Sequence, residues 1–398
     1  MKIFSRKCFV LIFSLLIFSL HAQNSVAGIN NEIIYKGTRS YSLTERTDLR
    51  CYENGKYKGL LSREIKSYIA PVTKDEITYY NGEFYVNQDT RRGTNYINSG
   101  IHQAISSGFY IDQEGIFEMT EDNGYPSFRS FPSYPSTPIK KGDTWEAYAI
   151  RAVDPLNKGV FTRTKIYVQY QYVRDSVFNN QEVYVITAKW ATRYSYLDEE
   201  KDEYGDEQLE KAYGNHTATI YVSKENGTAL LVSDQVDETF VYFDGSRHQF
   251  KGSISLFTDY PPSVNEEEIK SSLINLEDIG FEKTDYGLRL TLMDLKFKPD
   301  SAELIEGEEE RLDKIAQALK NIDSMLLVEG HTARVGSIDN EKELSYERAM
   351  TIIKELVKRG IKEERFICKA SGGSKPIDTN ETEEGRARNR RVEITILE

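Results

Sequence analysis

The chain has 398 residues, of which 39% are hydrophobic and 29% charged, and its formal net charge is −12. That length allows two or three domains with separate cores. The acidic balance excludes an electrostatic preference for nucleic acid or anionic lipid, and 3 cysteines in so long a chain exclude a disulfide framework.

Residues 1–22 read as a secretory signal, with Lys2, Arg6 and Lys7 forming a basic start and Phe9 to Leu20 an apolar stretch too short to span a bilayer. Ala22 or Ala27 would end the cleavage site. Cys8 lies at the basic-to-apolar junction rather than after a small-residue box, which argues against acylation. Without those three cations the net charge becomes −15, and since residues 287–398 hold 20 basic and 23 acidic side chains, most of the acidity rests on the middle of the chain. Cys51 and Cys368 remain and read as small, partly buried residues in different domains.

From residue 28 to 260 the chain is rich in Tyr, Thr and Val with period-2 stretches, the pattern of strands buried on one face. Tyr184, Ile186, Ala188, Trp190, Thr192, Tyr194 and Tyr196 fall on one side of one such strand, and Ile166, Val168, Tyr170 and Tyr172 mark another. Glu225, Asn226 and Gly227 read as a tight hairpin, as do Asp244 and Gly245. The expectation is an antiparallel sheet or half-barrel, with two subdomains divided near 125–142 as a further option. Tyr125 to Pro138 interleaves prolines with aromatics and cannot be a central strand; it reads as an ordered crossover whose rings cover a sheet face. The acidic run Asp198 to Glu210 lacks the glycine of an EF-hand loop and reads as a solvated hairpin tip.

Pro261 and Pro262 close this region, and residues 261–285 read as a linker with a short helix over NEEEIKSSL. Beyond it strands and helices alternate. Leu288, Leu290 and Leu292 form a strand; Leu312, Ile315, Ala316 and Leu319 share one helical face. Met325 to Val328 form a strand ending at Glu329 and Gly330. A second helix places Leu344, Ala349, Ile352, Ile353, Leu356 and Val357 inward and stops at Gly360. Arg365 to Ala370 and Val392 to Leu397 supply the last strands. The overall class is α+β: a β-rich N-terminal domain followed, over residues 286–398, by a βαβαβ two-layer domain.

Residues 295–304 (LKFKPDSAEL), 330–337 (GHTARVGS), 344–349 (LSYERA), SGGSKP with Asn380, and GRARNRRVE follow one another in this second domain. Read together, they are identified as an OmpA-like C-terminal domain, the peptidoglycan-associating module of Gram-negative envelope proteins. The resemblance implies a periplasmic location near the outer membrane or cell wall. It also implies a site for the diamino acid of the peptidoglycan stem peptide, a zwitterion that needs a cationic fork for its carboxylate and an acid for its ammonium.

Carried onto this chain, the resemblance gives the fork to Arg348, and the candidate binding residues are Thr332, Ala333, Arg334, Gly336, Glu341, Arg348 and Asn380. Ala333 stands where the family has Asp, Glu341 where it often has Asn, and Lys298 within what is commonly an FDF-like strand end, so the acidic half of the site is degenerate. Arg386, Arg390 and Arg391 form a secondary basic strip, for which the plainer reading is internal pairing that docks the last strand.

No signature of an enzyme is present: His102, His216, His248 and His331 are scattered, with no metal-ligand spacing, no GxSxG elbow and no P-loop. No cofactor or metal is expected. Peptidoglycan is the expected partner, with an envelope protein on the β-rich domain as another. Two alternatives stay open: an OmpA-like scaffold or protein-interaction domain that has lost wall binding, and an N-terminal outer-membrane β-barrel. Against the barrel, Asp234 and Glu238 interrupt the face set by Leu230 and Val232.

Overall fold

The computed structural model describes residues 32–37, 39–74, 77–92, 95–98, 103–198, 201–262, 264–274, 276, 278–284, 286–293, 295–298 and 301–398. The signal expected at 1–22, with Cys8 and Ala27, lies outside them, as do His102 and Pro299.

The first half contains β1 (Tyr41–Glu53), β2 (Lys56–Lys74), β3 (Ile77–Arg92), β4 (Asn95–Asn98), β5 (Gln103–Ile111), β6 (Phe117–Glu121), β7 (Phe128–Arg129) and β8 (Thr144–Val153). It continues through β9 (Thr162–Phe178), β10 (Gln181–Ser195), β11 (Leu209–Ser223), β12 (Ala229–Tyr242) and β13 (Arg247–Asp259). These 13 strands make one sheet in the order β6-β5-β3-β2-β1-β13-β12-β11-β10-β9-β8-β7, with β4 beside β3. Because β13 returns to pair with β1, the strands before and after 125–142 belong to the same sheet.

The alternation of β9 and β10 follows from the strand pleat, with one face of the sheet buried. Ile166, Val168, Tyr170 and Tyr172, and likewise Tyr184 to Tyr194 by twos, turn inward, while Lys165, Gln169, Lys189 and Arg193 face out. Inside, Tyr125 to Pro138 crosses the concave face as its composition suggests. Phe131 meets Trp190 at 5.1 Å and Tyr170 at 6.0 Å between ring centroids, and Trp145 Nε1 donates to the Ser133 carbonyl at 2.9 Å. Only Phe128 and Arg129 of this segment pair as strand, with β8. The acidic run after β10 is less solvated than expected, since Asp202 pairs with Arg163 and Asp206 with Lys158.

The barrel argument from Asp234 and Glu238 has its faces reversed. These acids lie on the inner face, where His216 Nδ1 is 2.7 Å from Asp234 and its Nε2 is 3.0 Å from Glu238. Arg151 and Thr192 also hold Glu238. Gly214, opposite Glu238 in the β11–β12 register, gives that side chain room, because a Cβ there would stand 2.7 Å from Glu238 Cα. Burial works against the His216 imidazolium, but its bonds to the two carboxylates outweigh that and raise its pKa. The outer face carries Arg46, Asp48, Arg50, Lys189, Arg193, Lys211 and Asp237, all exposed.

The second half runs α1 (Glu266–Leu273), β14 (Ile279–Thr284), β15 (Gly287–Leu292), α2 (Glu309–Leu319), β16 (Leu326–His331), α3 (Ile338–Lys358), β17 (Phe366–Gly372), α4 (Glu383–Asn389) and β18 (Val392–Leu397). The sheet order is β14-β15-β18-β16-β17, with β16 and β17 parallel. Asn265 caps α1, its side chain accepting from Glu268 N–H. β14 falls inside the segment read as linker; its weakly alternating IGFEKT was no strand signal by itself, and its hairpin with β15 forms it. Leu312, Ile315, Ala316 and Leu319 of α2 and Ala349, Ile352, Ile353 and Leu356 of α3 pack on Leu288, Leu290, Val328 and Ile394. Leu344, expected inward, is only half-buried.

The face of this sheet away from that core is not left to solvent. Leu397 and Ile367 pack with Tyr68 and Ala70 of β2, while Lys369 reaches Glu83 of β3.

Candidate functional site

The expected binding residues gather where β16 ends and α3 begins. Gly330 is required by close packing, because a Cβ on it would lie 2.0 Å from the Ser345 carbonyl of α3. From there the loop is tied to its neighbours by backbone donors: His331 N–H to Arg391 O at 3.0 Å and Thr332 N–H to Gly372 O at 2.9 Å. Arg334 N–H donates to Asn380 Oδ1 at 3.0 Å. Val335 and Gly336 N–H both donate to Glu341 Oε1, at 2.8 and 2.7 Å. Ser337 caps α3.

Thr332, Ala333, Arg334, Gly336, Glu341 and Asn380 are therefore brought together. Glu341 serves the loop itself, closing back from the first turn of α3 onto the two N–H groups before it. Ala333 is buried, and Arg334 is exposed.

Arg348 lies on the same helix but meets a different neighbour. Its Nε donates to the Ser301 carbonyl at 3.1 Å and its guanidinium carbon stands 5.0 Å from the Phe297 ring centroid. The hairpin bridged by Phe297 and Leu304 thus packs over it, and Lys298 in that hairpin is held by Glu303.

Arg386, Arg390 and Arg391 do not form one strip. α4, absent from the expected element order, turns them apart: Arg386 and Arg390 both hold Glu383, and Arg391 points inward to Glu393 at 2.7 Å. Arg388 binds Asp378 at 2.9 Å. The internal pairing is the arrangement found. Sequence reading missed Asn389, whose side chain fixes 377–380 by accepting from Ile377 and Asp378 N–H and donating to Asn380 Oδ1 at 3.0 Å. Its one signal was a neutral amide standing amid four arginines.

Behind the loop, His331 is buried between two acids, 3.5 Å from Glu393 and 3.9 Å from Glu329. Burial raises the Glu393 pKa, but the close approach of His331 and the bond to Arg391 outweigh it and hold the carboxyl down at about 2. Glu329, His331 and Glu393 could offer a cation three ligand atoms within 4.8 Å of one another. Lys375, 2.9 Å from Glu329, and Arg391 already neutralise both carboxylates, which works against a further cation. Burial pushes the Cys368 thiol up to about 12, so it is an inert packing group.

A two-layer module with a pinned strand-to-helix loop, carried behind a large β-sheet, is the class these features define. Residues 296–390 match the OmpA family. The peptidoglycan-binding protein ArfA of Mycobacterium tuberculosis is 37% identical over 103 residues, 26% of this chain and 32% of that protein. The outer-membrane lipoprotein YfiB of Pseudomonas aeruginosa is 31% identical over 123 residues, 30% of this chain and 73% of that protein. The cell wall anchor of the T6SS from Pseudomonas aeruginosa shares 28% identity over 32% of this chain and 94% of that one, with a TM-score of 0.29. The chain spans about a third of the length of the first curated relatives it matches. The chain belongs to the OmpA family through this C-terminal domain.

Proposed function

We propose that this is a cell-envelope protein, periplasmic and associated with the outer membrane or cell wall, whose C-terminal domain holds peptidoglycan without a covalent bond. The role is binding, not catalysis. Residues 286–398 are the wall-binding domain, 28–260 a β-rich domain and 261–285 the connection, after a signal at 1–22. The observation that carries the reading is the loop from Thr332 to Gly336, fixed on both sides by Glu341 and Asn380 in front of the helix that bears Arg348. The naming of ArfA as peptidoglycan-binding supports it. Thr332, Ala333, Arg334, Gly336, Glu341, Arg348 and Asn380 line the proposed contact, with Arg348 for the ligand carboxylate. Co-sedimentation with purified sacculi tests it: the protein should be retained and Arg348→Ala should lower retention. No retention of the unmodified protein refutes the function, and unchanged retention of Arg348→Ala refutes the site.

A second reading, a scaffold that no longer binds the wall, draws on Ala333 and on the commitment of Glu341 to its own loop. The charged outer face of the first sheet favours a water-facing β-domain over a membrane barrel, which needs an apolar band there. An envelope protein remains a proposed partner of that domain.

A further inference from the structure

Inside the curl of the first sheet lies a cavity of about 330 Å³. That falls within the roughly 300–1,000 Å³ of small-molecule sites. Its wall is mainly apolar, formed by Leu49 of β1, Leu61 of β2, Phe240 of β12, and Phe250 and Ile254 of β13. Charged groups converge on it from several sides, among them Glu45 and Arg63 from β1 and β2, Arg151 from β8, Asp154 just after β8 and Glu238 from β12, with Glu53 and Lys58 also in its lining.

Their bonding is unequal. Glu238 is engaged by Arg151, His216 and Thr192, and Glu45 by Ser127 and Thr47. Arg63 is the under-used member. Its Nη2 reaches Glu45 only at 3.4 Å, and its buried Nε–H has no hydrogen-bond partner among the described residues. A buried guanidinium N–H without an acceptor calls for an oxygen that is not part of the chain.

We propose that this cavity binds a single-chain amphiphile with one negative charge, its carboxylate on Arg63 and its alkyl chain along Leu49, Leu61, Phe240, Phe250 and Ile254. One charge fits better than two, because Glu45 and Glu238 stand in the same wall and would repel a dianion. An apolar body with a single oriented polar contact is what such a lining selects. The site is separate from the wall-binding loop and does not rest on that reading.

Isothermal titration calorimetry of the purified protein with decanoate, 1-decanol and decyltrimethylammonium tests the proposal. Decanoate should bind saturably at one site. Arg63→Gln should weaken decanoate about tenfold while changing decanol by only about twofold, since only the acid loses a charge-assisted bond. Leu61→Trp should fill the cavity and abolish binding of both; if that variant does not fold by circular dichroism, Ala152→Leu on the same wall replaces it. No saturable binding of decanoate, equal weakening of acid and alcohol by Arg63→Gln, stronger binding of the cationic chain, or unchanged binding to the filled variant would each overturn it.

Discussion

Removing the Glu341 side chain should loosen the loop in front of α3 without unfolding the domain. In Glu341→Ala, Val335 and Gly336 lose their shared acceptor, at 2.8 and 2.7 Å. Each such bond to a charged group is worth about 1.5–3 kcal/mol when its loss leaves a partner stranded. Here water can replace the carboxylate, because Val335 is 74% exposed, so the net loss for the pair is discounted to about 1–2 kcal/mol of loop order. That corresponds to a fall of about 5–30-fold in amide protection at these two positions. Glu341→Gln keeps an acceptor oxygen but not its charge and should fall between. Hydrogen exchange resolved at Val335 and Gly336 measures this, with amides of β16 as an internal reference. Unchanged protection at both amides in Glu341→Ala would refute the assignment of Glu341 as the loop's clasp; equal loss in β16 would show a global effect instead.

The inner charge cluster makes a larger prediction: Glu238→Gln leaves Arg151 and His216 buried with one carboxylate fewer and should destabilise the β-rich domain by about 3–5 kcal/mol in urea unfolding. Gly330→Ala should destabilise the C-terminal domain by about 1–3 kcal/mol, because the added Cβ meets the Ser345 carbonyl, and a variant melting like the parent would contradict that contact. Glu393 and Glu238 both have folded pKa values held below an unfolded value of about 4.3. Their stabilisation is therefore full above that pH and is lost as pH falls toward about 2, the folded value of Glu393. Equilibrium unfolding between pH 5 and 2, compared with Glu393→Gln, should show the variant with the flatter pH dependence.

Legibility in the sequence followed the reach of each signal. The strands of β9 and β10 and the helices α2 and α3 were readable because one burial pattern repeats along the whole element, as in Ile166 to Tyr172 or Leu312 to Leu319. β14 and α4 were not, since six and seven residues respectively give too few periods, and each depends on a neighbour. Asp234 and Glu238 were read on the correct common face but assigned to the wrong side of the sheet. An alternating pattern fixes which residues share a face, and only the curl and the buried His216 decide which face is inside. Among the site residues, the motif spacing located the loop, whereas the Phe297 and Ser301 contacts of Arg348 arise from segments about 50 residues away and leave no local trace.

The loop's chemistry turns on how its carboxylates are spent. Glu341 follows the loop in the first turn of α3, and a count of charges would let it compensate for Ala333. Its geometry argues otherwise. Oε1 already accepts two backbone N–H groups, and Oε2 lies against the Gly373 backbone, where a Cβ would stand 2.8 Å away. An oxygen fixed by two donors holds its negative charge toward the backbone, and Glu341 is buried whereas Arg334 is exposed. Glu329 and Glu393 are committed in the same way, to Lys375 and Arg391. None of Glu341, Glu329 and Glu393 is thus free to take the place of an acid at Ala333, and under the proposed wall-binding role the exposed Asp339 in the first turn of α3 is the acid left to test, by sacculus co-sedimentation of Asp339→Ala.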